Sequence, residues 1–245
     1  MKTLLAFTLL HSSLLIAAEP QKLFFARETA SNSTRIALTI EGDQVYGSQT
    51  WQPKEEAHGA SGSLSGIITV GGIIQVVYEF TIEGSTQSEE QVLKLDGNKL
   101  YVGEGELVEG KDGRLNLKEP NKVTFTKALD QVVVSEPKVG TPERKAIMDA
   151  MRGPVSAHIG KKITFTGDVL VSGNWARFQG NVASADGKAP KEEDRAFELE
   201  LDFYALLKKD PEGAWQVLHW GFAGDIGVRE EAHEKYAKAP WVLFE

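Results

Sequence analysis

Histidine, carboxylate and tryptophan side chains carry whatever reactive or binding chemistry this chain offers, because its 245 residues include no cysteine. That absence removes disulfides, thiolate metal sites and a Cys nucleophile together. Beyond residue 18 there are four histidines, His58, His158, His219 and His233, the side chains best suited to proton transfer near neutral pH. None stands in an HExxH or comparable frame. His219 lies between Trp215 and Trp220, and acid–base work there would need a carboxylate such as Asp168 or Asp202 within hydrogen-bond reach. His158, at the end of a helical stretch, is accounted for by the helix dipole.

In the segment FELELDF, strand alternation places Glu198, Glu200 and Asp202 on one face and Phe197, Leu199, Leu201 and Phe203 on the other. Glu104 and Glu106 share a face in the same way. A straight strand spaces its carboxylates too widely to wrap one cation, so no metal ligands are assigned. The ladder Glu198, Glu200 and Asp202 reads instead as a solvated face able to meet a cationic protein partner. Aromatic area is concentrated late in the chain, where Trp175, Tyr204, Trp215, His219 and Trp220 form the candidate ligand-binding set for an apolar or sugar-like molecule. Nucleophile and phosphate frames such as GxSxG, SxxK with its partners, GxxxxGK[ST] and a strand-linked GxGxxG are missing, so no catalytic residue and no cofactor is assigned. The formal net charge of −8 argues against nucleic acid as a partner.

These side chains need elements to hold them. From Arg35 to Lys127 runs with period-2 alternation, such as RIALTI with Ile36, Leu38 and Ile40 on one face, are separated by turn residues including Asp96-Gly97 and Asp112-Gly113. Turns at intervals of roughly 8 to 15 residues predict an all-β meander or small barrel over residues 19 to 138. The period then changes. TPERKAIMDAMRGPVSAHIG, residues 141 to 160, has Thr141 as a cap, Pro142 in the first turn, and Ile147, Met148, Met151 and Val155 on one stripe. Gly153-Pro154 predicts a kink or division there. Four strand-like runs follow, KITFTGDVLVSG, NWARFQGNVASADG, AFELELDFYALLKKD and AWQVLHWGFAG, so residues 139 to 245 read as α+β, with one helix packed on an antiparallel four-stranded sheet. At the other end, MKTLLAFTLLHSSLLIAAEP has one lysine, a short apolar run and small residues before Glu19. That pattern predicts a signal peptide over residues 1 to 18, cleaved near Ala18, and a periplasmic or secreted chain with no transmembrane segment after cleavage.

The frame from PERKAIMDAMRGPV through VSGNWARFQG and YALLKKDPEGAWQVLHWGFAGDIGV to KYAKAPWVLF resembles an α+β domain, cystatin-like or nuclear-transport-factor-like, of secreted bacterial proteins without assigned function. HGASGSLSGII, YEFTIEGSTQSEEQVLKLDGNKLYVGEGELVEG and GRLNLKEPNKVTF resemble a small β domain of hypothetical proteins from Gram-negative bacteria. The resemblance implies fold and compartment, and implies no activity or site residue. The resulting expectation is an exported, non-catalytic binding or interaction protein. Its rivals are a small-molecule enzyme of the α+β cone type, and an inhibitor of a cationic envelope hydrolase.

Overall fold

The computed structural model of the chain describes residues 19–55, 58–185, 202–222 and 227–245. The chain divides into two compact units, Met1–Gln131 and Val132–Glu245. The first is built from β1 (Gln21–Glu28), β2 (Asn32–Glu41), β3 (Gln44–Pro53), β4 (Ala60–Ile68), β5 (Ile73–Ile82), β6 (Ser85–Asp96), β7 (Lys99–Glu104), β8 (Leu107–Glu109), β9 (Leu115–Leu117) and β10 (Thr124–Gln131). Eight of these form a closed ring in the order β5-β4-β3-β2-β1-β10-β7-β6, with β6 pairing back to β5. Every pairing around that ring is antiparallel. Closure pairs each of these eight strands on both sides, which leaves few exposed edges.

The strand that completes the ring is β1, QKLFFARE, which precedes the first strand read from the sequence. It pairs along its whole length with β2, from Gln21↔Ile40 to Glu28↔Ser33, and through Phe25↔Gln131 and Ala26↔Asp130 with β10. Its inward residues Leu23 and Phe25 join Ile36, Leu38, Val45, Leu64, Ile74, Val76, Leu93 and Leu100 in the barrel core. At Gly62 and Gly66, both on inward positions, an added Cβ would stand 1.9 Å from the backbone carbonyl oxygens of Glu79 and Gln75. Only glycine permits that approach between β4 and β5. The outward positions are mostly polar, as in Arg35 and Thr39 on β2, Ser48 and Thr50 on β3, and Ser61, Ser63 and Ser65 on β4, with Tyr46 and Ile67 as exposed apolar exceptions. A lipid-facing barrel has the opposite alternation, apolar outside. No helix among the described residues is long and apolar enough to cross a membrane.

The second unit holds α1 (Pro142–Ile159), β11 (Ile163–Ser172), β12 (Trp175–Ser184), β13 (Asp202–Lys209), β14 (Trp215–Phe222) and α2 (Gly227–Lys235), with a 3-10 turn at Trp241–Phe244. The four strands form one antiparallel sheet in sequence order. The Thr141 hydroxyl accepts from the Arg144 N–H, and Gly160 closes the helix in the left-handed region at φ 79°. Residues Ile147, Met148, Met151, Val155 and Ile159 share a core with Val169, Val171, Ala176, Phe178, Phe203, Ala205 and Leu207.

Three features differ from the sequence reading. First, the division expected at Gly153-Pro154 is absent, since Pro154 lies inside one 18-residue helix. Its ring sits on an exposed face, and the apolar stripe on either side stays packed in one core. Second, residues 132 to 138 go with the sheet and not with the barrel. Ser135 forms a β-bridge with Val171, and the Ser172 hydroxyl donates to the Val133 carbonyl at 2.9 Å. Third, the sheet carries helix on both sides. Tyr204, Leu206 and Leu170, on the face away from α1, are also buried, because α2 and the 3-10 turn pack on that side. Tyr204 donates to the Leu243 carbonyl at 3.2 Å, and Tyr236, just past α2, donates to the Leu218 carbonyl at 2.9 Å. The continuous apolar run Tyr204-Ala205-Leu206-Leu207 is the mark of a strand buried on both faces.

Candidate functional site

One end of the barrel is plugged and the other is open. Leu23, Ile36, Leu38, Ile40, Val45, Ile74 and Leu95 fill the plugged end. Toward the opposite end the inward ladder changes character, with Arg27 on β1, Thr34 on β2, Gln49 and Trp51 on β3, Tyr78, Phe80 and Ile82 on β5, Gln87 and Glu89 on β6, Val102 on β7, and Lys127 and Leu129 on β10. These residues enclose a cavity of about 410 Å³, within the range that takes a small organic ligand. The barrel wall also parts here. β6 and β7 pair only from Leu93↔Val102 to Asp96↔Lys99, and β9 takes the free edge of β6 through Glu89↔Leu115. The Leu117 N–H donates to Glu90 Oε2 at 3.0 Å and holds that flap.

Burial ranks the lining by depth. Gln49, Tyr78, Phe80, Ala60 and Leu129 are buried, whereas Gln87 and Lys127 are exposed at the rim. Tyr78 and Phe80 stack with centroids 4.5 Å apart. The Tyr78 hydroxyl donates to the Gln49 carbonyl at 3.1 Å. Burial, and then the negative charge of Glu89, push the phenol up to about 12. Tyr78 therefore stays protonated through the neutral range. Glu89 accepts from Gln91 Nε2 at 2.6 Å. Gln91 stands two residues further along the inward face of β6, opposite Val76, just beneath the cavity. Gln49 Oε1 and Gln91 Oε1 are both buried without a hydrogen-bond partner. At the rim Lys127 Nζ lies 2.6 Å from Glu104 Oε1. Lys127, then the hydroxyl of Thr126, hold the Glu104 carboxyl below its ordinary value, and Arg27 adds a weaker attraction. Aromatic walls, a polar base and a charge-balanced rim make an amphiphilic receptacle.

A wider depression of about 710 Å³ lies against β5, β6 and the β8–β9 flap, lined by Glu79, Thr86, Ser88, Glu109, Asp112 and Arg114 among others. It is larger and has its own buried unpartnered atoms in Ser88 Oγ and Arg114 Nε, but it has no aromatic floor and none of the fully buried side chains that mark the barrel mouth.

The second unit does not gather the residues singled out from the sequence into one site. Trp215 and Trp220 belong to the core beneath α1. Tyr204, Trp175 and His219 point to the other face, where Trp175 meets the Tyr236 ring edge-on at 6.4 Å and His219 Nε2 lies 3.8 Å from Glu231 Oε2. The sheet thus stands between the two halves of that set, and each half is engaged in packing. His219 is opposite Leu206 and Asp202 is four residues up the same strand, roughly 13 Å away at strand rise. Asp168 is on β11, three strands from β14, about 14 Å across the sheet. Neither carboxylate reaches His219. Asp202 begins β13 exposed, and Glu198 and Glu200 lie outside the described residues. Among the described residues no group of His, Cys, Asp and Glu is placed to hold a metal ion.

The barrel-mouth residues carried a signal in the sequence. Arg27, Thr34, Gln49, Gln87, Glu89 and Lys127 are polar residues on the inward parity of otherwise apolar strands. Hairpin connectivity sends all of them to the same end. The molecule is thus a closed eight-stranded antiparallel barrel with an open, half-polar mouth, followed by an antiparallel four-stranded sheet with helices. Compared with protein-family models, curated proteins and solved structures, the chain matches none.

Proposed function

We propose that the protein is a non-catalytic binding protein that holds a small molecule in the open end of its barrel. The observation that carries this reading is the change along the barrel axis from a packed apolar plug to a 410 Å³ cavity with buried, unpartnered polar atoms at its base. Interiors are ordinarily filled to the density of organic crystals, and buried polar atoms are ordinarily paired. A mouth that breaks both rules at one place fits a site completed by a ligand. The separations around His219 weigh against the enzyme alternative, and the cavity itself holds no nucleophile–base pair. Export belongs to the same proposal. The N-terminal pattern supports cleavage near Ala18, and β1 begins at Gln21, so the cut would leave the barrel strand whole.

Trp51 is the one tryptophan of the first unit and lines the cavity, which makes it the reporter. Titration with pyrene, an uncharged apolar fluorophore, should quench part of the tryptophan emission by energy transfer, saturably, and that part should be missing in Trp51→Phe. Quenching that is linear in pyrene, or unchanged by the substitution, would remove the barrel as the site.

A further inference from the structure

Hydrogen-bonding capacity at the base of the cavity leans toward acceptors, the Gln49 amide nitrogen being the donor among them. Gln91 Oε1 is fixed as an acceptor, because the amide nitrogen of that side chain is the atom that donates to Glu89. Gln49 Oε1 is a second buried acceptor without a partner, and each glutamine is 8% exposed. Tyr78 has its single proton on the Gln49 carbonyl, so its oxygen offers lone pairs alone. Glu89, directly across the β5–β6 ladder from Tyr78, accepts and does not donate when ionised. Three strands therefore aim acceptors into one region. The charges differ with depth as well. Lys127 is paired with Glu104 at the rim and Arg27 also lines the cavity, whereas among the described residues the Glu89 carboxylate meets the Gln91 amide and forms no salt bridge. Trp51, Tyr78 and Phe80 also line the cavity, and aromatic rings attract cations to their faces.

We propose that the ligand class is an aromatic amine that enters ammonium-first, its N–H groups reaching Gln49 Oε1 and the Glu89 carboxylate and its ring lying among Trp51, Phe80 and Leu129. This assignment rests on the barrel mouth being the ligand site. A carboxylate head at the base would meet the like charge of Glu89. A molecule with no head group would leave the orphan oxygens unpaired.

The test is calorimetric titration of the full chain with three molecules that share an indole body: tryptamine, 3-ethylindole and indole-3-propionate. Tryptamine should bind at least about tenfold more tightly than 3-ethylindole, with indole-3-propionate weakest. In Glu89→Gln and, separately, in Gln49→Leu, the advantage of tryptamine over 3-ethylindole should fall below about threefold. Equal affinities in the unsubstituted protein, or indole-3-propionate binding best, would overturn the amine assignment and leave the barrel site standing. Failure of all three indoles and of pyrene to bind would overturn the barrel site itself.

Discussion

Gln49 and Gln91 each keep a carbonyl oxygen buried without a donor, which costs about 1–3 kcal/mol per group. Replacing Gln49 by leucine removes one such oxygen while leaving its backbone carbonyl to accept from Tyr78. Gln49→Leu is therefore expected to raise the stability of the ligand-free protein by about 1 kcal/mol, read as a higher urea midpoint at unchanged slope. Unchanged or lower stability would mean that the oxygen is satisfied in solution. At the plugged end the opposite outcome holds. Leu93 is fully buried among apolar neighbours, so Leu93→Ala should cost about 2–5 kcal/mol, the cavity term included. Tyr78 adds a pH signature. Its folded value lies above the ordinary 10, at about 12, so the unfolded chain releases this proton first. The contribution of Tyr78 to stability is then flat below pH 10 and falls between pH 10 and about 12. Burial also raises Tyr204 in the second unit, so the Tyr78 share is the difference between the alkaline slopes of the parent and Tyr78→Phe.

At the scale of elements, α1 and β4 show how local preference and packing compete. Pro154 deprives the Ala150 carbonyl of its helical partner, and yet the helix runs on to Ile159, because Val155 and Ile159 are buried in the same core as Met148 and Met151. The proline ring itself is exposed, so Pro154→Ala loses no packing and restores an N–H. It should stabilise the chain by about 1–3 kcal/mol, measured by chemical denaturation, and a destabilised variant would show that the ring holds a local bend the sheet needs. In β4 the inward glycines let the strand close on β5, with a carbonyl where a methyl would otherwise sit. The residues that give the barrel its shape are therefore those without side chains. The β13–β14 hairpin is held differently, by the Asp210 carboxylate accepting from the Glu212 and Ala214 N–H groups at 2.9 Å. Those backbone donors, that of Ala214 foremost, lower its proton affinity.

At the scale of the whole molecule, each unit has its own core, one inside the barrel and one between α1 and the sheet. The chain between them changes allegiance at Gln131/Val132. Fragments 19–131 and 132–245 should each give cooperative thermal unfolding and well-dispersed amide spectra. A fragment that stays unfolded would show that its core depends on the other. The same division bears on ligand binding, since fragment 19–131 contains every residue around the barrel-mouth cavity.

The sequence by itself determined what is local. Period-2 alternation marked seven of the eight barrel strands, and Asp-Gly turns marked hairpins. Thr141, Pro142 and the Met148/Met151 stripe marked α1, and the four strands of the second sheet could be read in order. Tertiary structure alone decided closure, which depends on Phe25 meeting Gln131 across more than a hundred residues, a pairing that leaves no periodic trace in either segment. It also decided that α2 covers the second face of the sheet, separating Trp215 and Trp220 from Tyr204, Trp175 and His219. Alternation says which residues face inward, but not which end of a barrel is full and which is empty. That difference arises only when strands distant in sequence bring Arg27, Gln49, Tyr78, Glu89 and Lys127 to the same end of the barrel, and their volumes and hydrogen bonds no longer add up to a filled core.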